Sequence, residues 1–330
     1  MKALVYHRYG RPLDVLGVEE VERPVPGPGE VLIRVRGAAA NALDIHFMRG
    51  RPRIARLLMG LRRPKLNRPG VDVAGIVEAV GDGCTLKPGD AVFGICRGAF
   101  AEYACINEDK LAPKPPALSF EEAASLPVAG LTALQGLRDK GGLRAGETVL
   151  VNGAGGGIGT FAIQIARALG AEVTAVCSRG KSNLVRSLGA DRALDYAEED
   201  FTAGPERFDM IFDVASPHGF PRNRRALQPG GRVVCAGMTA GGGEPSLRFM
   251  LRHFARLIWG MAVSRVSSEK LVAFVAKGRS EDLATLAEWA ANETIRPVVD
   301  VRHGLEQAPQ ALADLAAGHA TGKIVVSLGG

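Results

Sequence analysis

Residues 147–178 read ETVLVNGAGGGIGTFAIQIARALGAEVTAVCS, and this stretch decides the fold class of the chain. An apolar run, Val149–Val151, leads into a glycine-dense turn, Gly153–Gly159, and then into apolar residues with helical spacing. Gly170 ends this predicted helix, and a second predicted strand, Glu172–Cys177, follows it. The stretch is therefore a βαβ unit whose turn offers backbone N–H groups and a helix N-terminus to an anion such as a pyrophosphate.

The turn carries the pattern A-x-G-x-x-G, a dinucleotide fingerprint with alanine in place of the first glycine. In this pattern Gly156 lets the backbone approach phosphates, and Gly159 lets the helix pack closely against the strand. Glycine turns without a ligand look similar when they are taken alone. The correct strand and helix periodicity on both sides of Ala154 favours the dinucleotide interpretation.

The tip of the second predicted strand bears on the choice of cofactor. A carboxylate at this position would bind the ribose hydroxyls of NAD, but Val173–Lys181 contains none. Ser178, Arg179 and Lys181 instead offer a hydroxyl and two cations to a 2′-phosphate. Charge-assisted hydrogen bonds contribute about 1.5–3 kcal/mol each, so the sequence predicts NADPH as the cofactor. The alternative is that the two cations are solvated loop charges.

Composition and cysteine spacing narrow the class of protein. A chain of 330 residues with 46% hydrophobic content can bury a large core and is predicted to form two domains. The start of the chain lacks the apolar region of a signal peptide, and no apolar run reaches the length of a membrane span, so we expect a cytoplasmic protein without a transmembrane segment. The five cysteines form no C-x-x-C pair and are expected to be buried thiols.

The pattern of turns and periodicity changes along the chain. Residues 1–123 contain short strands separated by Pro and Gly, which predicts a β-rich, partly closed barrel. Ser119, followed by two glutamates, predicts a helix N-terminus. Strands and helices alternate through residues 124–265, which predicts a doubly wound parallel sheet. The carboxyl ends of its later strands, at Val214 and Gly237, are expected to face the cofactor.

Two segments are unusually basic. Residues 49–68 hold eight cations and no acidic residue, and residues 247–263 predict a basic amphipathic helix with Arg248, Arg252 and Arg256 four positions apart. Peripheral contact with an anionic membrane is one interpretation, and cover of a cleft or of a dimer interface is another. Contact with nucleic acid is disfavoured, because no aromatic residues for base stacking interleave the arginine run.

Motifs along nearly the whole chain resemble those of the medium-chain dehydrogenase/reductase superfamily, in its zinc-independent quinone oxidoreductase-like branch. They are MKALVY at the start, PGPGEVLIRV, RPGVDVAGIVEAVG, SLPVAGLTALQGL, the glycine turn and the closing GHATGKIVV. The resemblance implies a GroES-like barrel domain and a Rossmann NADP-binding domain with the catalytic cleft between them. It also implies that residues 266–330 return to the first domain and that the protein is a homodimer.

The resemblance also bears on metal binding. Zinc alcohol dehydrogenases of the superfamily bind their catalytic zinc with a cysteine and a histidine, and this chain has Asn41 and Val71 at those positions. An amide and an isopropyl group do not replace thiolate and imidazole ligands, so we expect no zinc site. Asp44 and His46 form a pair that lacks a third ligand.

By resemblance, hydride passes from NADPH to a quinone or to an α,β-unsaturated carbonyl compound. Asn41 would lie beside the nicotinamide and the substrate, Thr132 would contact the carboxamide, and Asp44 would either orient the Asn41 loop or only cap it. An NADPH-binding association protein with little turnover and a membrane or RNA partner is the alternative function. The candidate cofactor-binding residues are Asn41, Thr132, Ala154, Gly156, Gly157, Ile158, Ser178, Arg179, Lys181, Tyr196, Val214, Gly237 and Lys323.

Overall fold

The chain divides into two compact units. One unit consists of Met1–Val128 with Gly278–Gly330, and the other is Ala129–Lys277. The sequence placed the boundaries at 123/124 and 265/266, and both lie further along in the structure. The second does so because the strand Lys270–Ala273 still pairs within the sheet of the second unit. The computed structural model describes residues 1–50, 56–215, 218–236, 247–318 and 320–329.

Short strands joined by turns form the first part of the chain, as the Pro and Gly spacing predicts. The helix that begins after Ser119 has a capping box, since the Ser119 hydroxyl accepts the Glu122 N–H at 3.1 Å and the Glu122 carboxylate accepts the Ser119 N–H at 2.8 Å. The elements in order are β1 (Lys2–Tyr6), α1 (Pro12–Val15), β2 (Leu16–Glu20), β3 (Glu30–Ala39), α2 (Ala42–Arg49), α3 (Arg56–Met59), β4 (Asp72–Val80), β5 (Ala91–Ile95), β6 (Tyr103–Asn107), β7 (Leu111–Pro113) and α4 (Phe120–Ser125).

The second unit is a parallel sheet with helices between its strands. Its elements are α5 (Pro127–Leu134, which contains the boundary), β8 (Thr148–Asn152), α6 (Gly157–Ala168), β9 (Glu172–Cys177), α7 (Ser182–Ser187), β10 (Arg192–Asp195), β11 (Phe208–Asp213), α8 (Phe220–Asn223), β12 (Leu227–Cys235), α9 (Leu247–Val266) and β13 (Lys270–Ala273). The strand order is β10-β9-β8-β11-β12-β13, and every pairing is parallel. The order reverses at β8, so the predicted glycine turn lies at the topological switch point.

The last part of the chain adds α10 (Ser280–Ala291), β14 (Val299–Gly304), α11 (Ala308–Ala317) and β15 (Lys323–Ser327) to the first unit. β15 lies between β14 and β3 in a seven-stranded sheet. One edge of β3 pairs with β6 over Glu30–Arg34 and with β15 over Gly37–Ala39, while the other edge pairs with β4. The start of β15 is therefore brought beside the end of β3.

The structure also tests two predictions about the cysteines and the basic helix. All five cysteines are free, but only Cys96 and Cys177 are buried; Cys84, Cys105 and Cys235 are partly exposed, so the prediction of buried thiols was wrong for these three. The predicted basic helix is present as α9, although the side chains of its three spaced arginines lie outside the described part of the chain. Among the described residues, no helix has the length and apolar character needed to span a bilayer.

Candidate active site

Four polar side chains are buried together in the first unit, where β3, α2, β4 and β15 meet. They are Asn41, Asp44, Asp72 and Lys323, and the last two are only 0% and 4% exposed. The sequence singled out three of them and missed Asp72. We call these four residues the polar cluster.

The amide of Asn41 is fixed at both ends. Its Nδ2 donates to Asp72 Oδ2 at 2.9 Å and to the Ala39 carbonyl at 3.1 Å, while its Oδ1 accepts from Lys323 Nζ at 2.7 Å. The opposite orientation of the amide would turn its oxygen toward the Asp72 carboxylate and its nitrogen toward the ammonium group. Both N–H groups of the amide are thus engaged within the unit, and only acceptor capacity remains on Oδ1.

Asp72 and Lys323 form a buried ion pair. Lys323 Nζ lies 3.0 Å from Asp72 Oδ2, and Asp72 Oδ1 accepts the backbone N–H of Val128 at 2.9 Å. Each oxygen of this carboxylate therefore has a donor. A buried pair of this kind is costly to break, because the remaining charge has no water to solvate it.

Asp44 ties two loops together. Its Oδ2 accepts the Asn41 N–H at 2.9 Å and its Oδ1 accepts the Gly70 N–H at 2.9 Å. Burial raises the pKa of Asp44 to about 7; Asp72 raises this pKa further, whereas the two N–H donors and Lys323 oppose the rise. Asp44 thus caps the start of α2 and also ties the Asn41 loop to the loop at Gly70. Its position fits both of the roles that the sequence left open, capping and orientation of the loop.

The raised pKa of Asp44 predicts a pH-dependent contribution to stability. Since the folded-state pKa is about 7 and the ordinary value is 3.8, the folded protein binds a proton that the unfolded chain releases between these two pH values. Stability therefore falls as pH rises through this window and has no further slope from Asp44 above about 7. Asp44→Asn removes this pH-dependent component. It also lowers the free energy of unfolding by about 1–3 kcal/mol at every pH, because the amide nitrogen of the new side chain would face a backbone N–H group.

Urea unfolding of the wild type and of Asp44→Asn across pH 4–8 measures this contribution. We expect the stability advantage of the wild type to shrink as pH rises toward about 7 and then to level off. Asp82→Asn, at an exposed position of the same unit, is the matched control. An advantage that stays constant over the whole range would contradict the assignment.

In the second unit, the glycine turn has one closed side and one open side. Gly153 has φ +87°, and its N–H and that of Ala154 both donate to the Val176 carbonyl, at 3.2 and 3.0 Å. A Cβ on Gly159 would collide with the backbone of the turn, with Ala154 Cα only 2.6 Å away. A Cβ on Gly156 would have its nearest neighbour at 3.7 Å. The turn is therefore packed at Gly159 and open at Gly156.

The open side lies at the start of α6. Gly156 is the N-cap residue of this helix and supplies no capping side chain, so the first N–H groups of α6 suit an anionic oxygen. Lys181 lies against the same turn, since a Cβ on Gly155 would be 2.5 Å from its Cδ. The positive end of a helix dipole and an ammonium side chain thus lie close together, which fits the phosphates of a dinucleotide.

The predicted 2′-phosphate residues gather at the carboxyl ends of β9 and β10. Ser178 precedes a short 3₁₀ helix, Arg179–Lys181, and its carbonyl accepts the Lys181 N–H at 2.9 Å. Tyr196 follows β10 and donates its N–H to the Cys177 carbonyl at 3.2 Å. Asp195 is the nearest carboxylate in the strand register, but it accepts the Ala197 N–H at 3.0 Å. The side chains at this tip are a hydroxyl and two cations, a set that fits a phosphate better than a ribose diol.

Next to the turn lies a buried hydrogen-bond network that was not predicted from the sequence. Asn152 Nδ2 donates to Asp213 Oδ1 at 2.9 Å, and Asn223 Nδ2 donates to Asp213 Oδ2 at 3.1 Å. The Val214 N–H donates to the Asn152 carbonyl at 3.0 Å. The ends of β8 and β11 are thereby tied together on either side of the switch point. The sequence signal that could have revealed this network is the carboxylate of Asp213 at the end of the apolar strand β11.

The remaining candidate residues have different outcomes. Val214 lies beside Gly153, and Thr132 is buried in α5. Gly237 lies outside the described residues. Within the described ranges, no group of three His, Cys, Asp or Glu side chains could hold a metal ion.

A parallel sheet with a glycine turn at its switch point, together with a strand-rich unit, fits a two-domain nucleotide-dependent oxidoreductase. Residues 27–116 match the family described as alcohol dehydrogenase GroES-like domain, and residues 188–326 match the family described as zinc-binding dehydrogenase. The chain belongs to the medium-chain dehydrogenase/reductase superfamily, in its quinone oxidoreductase-like branch.

Individual relatives match over the full chain. The chloroplast envelope quinone oxidoreductase homolog of Arabidopsis thaliana is 32% identical, with 99% of this chain and 98% of the relative covered. The chloroplastic NADPH-dependent alkenal/one oxidoreductase of Arabidopsis thaliana is also 32% identical, with 99% and 79% covered. The structure of the quinone oxidoreductase from Coxiella burnetii superposes with a TM-score of 0.85 at 27% identity, with 99% of each chain covered.

Proposed function

We propose that this protein is a zinc-independent, NADPH-dependent oxidoreductase that reduces a quinone or the conjugated double bond of an α,β-unsaturated carbonyl compound. The observation that carries the proposal is Asn41. Where zinc dehydrogenases of the superfamily place a thiolate ligand, this chain has an amide that Asp72 and Lys323 hold in one orientation. An amide so engaged suits orientation of reactants rather than coordination of a metal.

NADPH, when bound, supplies the hydride. Gly156, Gly157 and Ile158 would hold its pyrophosphate: Gly157 and Ile158 with their N–H groups at the start of α6, and Gly156 by allowing close approach, since its own N–H donates to the Gly153 carbonyl at 3.3 Å. Ser178, Arg179 and Lys181 would bind the 2′-phosphate, with Tyr196 at the adenosine ribose and Thr132 at the carboxamide. The names of relatives support this cofactor class, since they include NADPH-dependent and NAD(P)H enzymes.

In this proposal the polar cluster positions the substrate that accepts the hydride. Quinones and enones are already polarised, so the protein mainly needs to position them against the reduced cofactor and exclude competing reactions. Asn41 would lie beside the nicotinamide and the substrate, where the remaining acceptor capacity of its Oδ1 suits an N–H or O–H donor of the cofactor. Asp44 would hold the loops at Asn41 and Gly70. The Tyr103 ring packs against the Arg23 guanidinium, 3.9 Å from its ring centroid. In this proposal the proton comes from water.

Oxidation of NADPH by the purified protein tests the proposed reaction. The acceptors are a naphthoquinone, a benzoquinone, a 2-alkenal and a simple ketone. Turnover with the quinones or the alkenal, and none with the ketone, is the expected result. Binding of NADPH without reduction of any acceptor would sink the proposal and leave the association protein as the better description.

The cofactor preference has its own test. We expect Arg179→Ala combined with Lys181→Ala to raise the Kd for NADPH at least about tenfold, because at least one charge-assisted hydrogen bond to the 2′-phosphate is lost. The Kd for NADH should change much less. Lys140→Ala with Arg144→Ala removes two exposed cations elsewhere in the same unit and is the matched control. Equal losses for both cofactors would place the 2′-phosphate elsewhere.

Three other sequence predictions stay predictions. They are a homodimer formed through the edge of the parallel sheet, peripheral contact with a membrane, and a cytoplasmic location. Gel filtration with light scattering measures the first of them directly.

A further inference from the structure

Residues 57–68, which read LLMGLRRPKLNR, combine exposed apolar and cationic side chains in the first unit. Leu57, Leu61 and Leu66 are 64%, 68% and 48% exposed. The exposed cations among them are Arg62, Arg63, Lys65 and Arg68. No acidic residue occurs between Asp44 and Asp72 in the sequence. We call residues 57–68 the basic leucine segment.

The backbone of the basic leucine segment is anchored. The Tyr9 hydroxyl donates to the Gly60 carbonyl at 2.7 Å, and the Lys65 N–H donates to the Met59 carbonyl at 2.8 Å. Near its end, the Asn67 carbonyl accepts the Tyr6 N–H at 2.9 Å. The segment is thus held at its middle and its end, so that the leucines and cations project from a fixed backbone.

Gly60 allows the segment to turn. Its φ is +110°, a conformation that L side chains rarely adopt, and its N–H donates to the Arg56 carbonyl at 2.8 Å. The Arg56 guanidinium in turn lies 4.3 Å from the centroid of the Tyr9 ring. The turn separates Leu57 from Leu61, and both remain exposed on the folded chain.

We propose that the basic leucine segment is a membrane-contact surface that binds bilayers containing anionic lipids. Leucines on such a surface enter the boundary between headgroups and acyl chains, while adjacent cations contact lipid phosphates. Arg62 follows Leu61 directly, and Lys65 directly precedes Leu66. The segment carries four exposed cations, and no acidic residue occurs between positions 44 and 72, so its charge matches the phosphates of an anionic bilayer.

The charge of the whole chain acts in the same direction. The formal net charge is +6 at pH 7, which attracts the protein toward an anionic surface over the Debye length. Attraction of this kind is not specific to one region, so variants must separate the segment from the net charge. The leucines serve that purpose, because their replacement leaves the charge unchanged.

Vesicle flotation with the full-length protein tests the proposal. We expect binding to vesicles of phosphatidylcholine with phosphatidylglycerol at low salt, weaker binding at high salt, and no binding to phosphatidylcholine alone. Flotation measures binding without turnover, so the result is independent of the proposed reaction. Failure of the wild type to float with anionic vesicles at low salt would overturn the proposal.

Charge variants locate the contact. Arg62→Gln, Arg63→Gln and Lys65→Gln together should lower the partition coefficient about 100-fold, at roughly 1 kcal/mol for each cation near the surface. The control removes the same number of cations from exposed positions of the second unit, with Lys140→Gln, Arg144→Gln and Arg186→Gln. A smaller loss in the control supports the proposal, and equal losses would assign binding to net charge alone.

Leucine variants complete the test. Leu57→Ser, Leu61→Ser and Leu66→Ser together should weaken binding to anionic vesicles at least about tenfold, with melting temperature unchanged because these side chains are exposed. Leu13→Ser with Val301→Ser replaces exposed apolar residues outside the segment in the same unit and should leave binding unchanged. If the leucine variant floats like the wild type but sediments as a smaller species, the segment is a protein interface and the proposal is wrong.

Discussion

Replacement of Lys323 by methionine is expected to lower the free energy of unfolding by about 3–5 kcal/mol. Methionine fills a similar length but carries no charge, so Asp72 would remain buried without its cation. The Oδ1 atom of Asn41 would lose its donor at the same time. Urea unfolding at constant pH measures the loss.

Lys270→Met is the control that separates the buried pair from the loss of any lysine. Lys270 donates to the carbonyls of Ser264 and Ser267 at 2.9 and 3.0 Å from an exposed position, so Lys270→Met should cost below about 1 kcal/mol. Adding Asp72→Asn to Lys323→Met removes the unpaired charge and should recover part of the lost stability. A Lys323→Met variant as stable as the wild type would show that the pair contributes nothing.

The same substitution tests the proposed role of Asn41. If the ammonium group holds the amide in its working orientation, kcat/KM for the quinone should fall at least about 100-fold at a temperature where the variant is folded, which corresponds to about 2.7 kcal/mol. Lys323→Met with unchanged kcat/KM, measured on folded protein, would give Asn41 a structural role only.

The second large effect concerns two glycines of the same turn. Gly159→Ala should lower the free energy of unfolding by about 1–3 kcal/mol, because its methyl group collides with the backbone of Gly153 and Ala154 rather than with a movable side chain. Cofactor binding should be lost with it, since the turn must shift to make room. Thermal melting without cofactor measures the first effect.

Gly156→Ala should separate binding from stability. Its φ of −97° and ψ of 178° suit alanine, and its Cβ would have no neighbour closer than 3.7 Å, so melting of the free protein should be unchanged or slightly raised. The new methyl group would occupy the side on which a pyrophosphate approaches. We expect the Kd for NADPH, measured by fluorescence titration, to rise about 10–100-fold through loss of one charge-assisted hydrogen bond. Unchanged affinity would mean that the cofactor binds elsewhere.

The parts of the fold that depend on neighbouring residues were predictable from the sequence. The glycine turn with its two flanking strands, the cap at Ser119 and the end of α6 at Gly170, which has φ +83°, each follow from a few adjacent residues. Local periodicity also gave the parallel sheet. It did not identify β13, because four residues are too few for a period-2 pattern to be distinct.

The site was predictable only in part. Asn41 and Lys323 were predicted from the family resemblance. Asp72 lies within an apolar strand pattern, and its partner Lys323 is 251 positions away in the sequence. Asn152 and Asp213 are likewise 61 positions apart. No local pattern encodes such pairs, since they form only when the sheets assemble. The exposure of Leu61 also depends on the turn at Gly60 and could not be inferred from composition.

The position of β15 imposes an order on synthesis at the ribosome. By the time Lys277 has been added, every strand of the parallel sheet exists, whereas the edge of β3 over Gly37–Ala39 still awaits its neighbour. At about 5–20 residues per second, a few seconds pass before Lys323 follows. During that interval the nascent chain carries an open strand edge and a carboxylate, Asp72, without its cation. The unit that contains the parallel sheet is therefore ready to fold first, and the polar cluster is completed last.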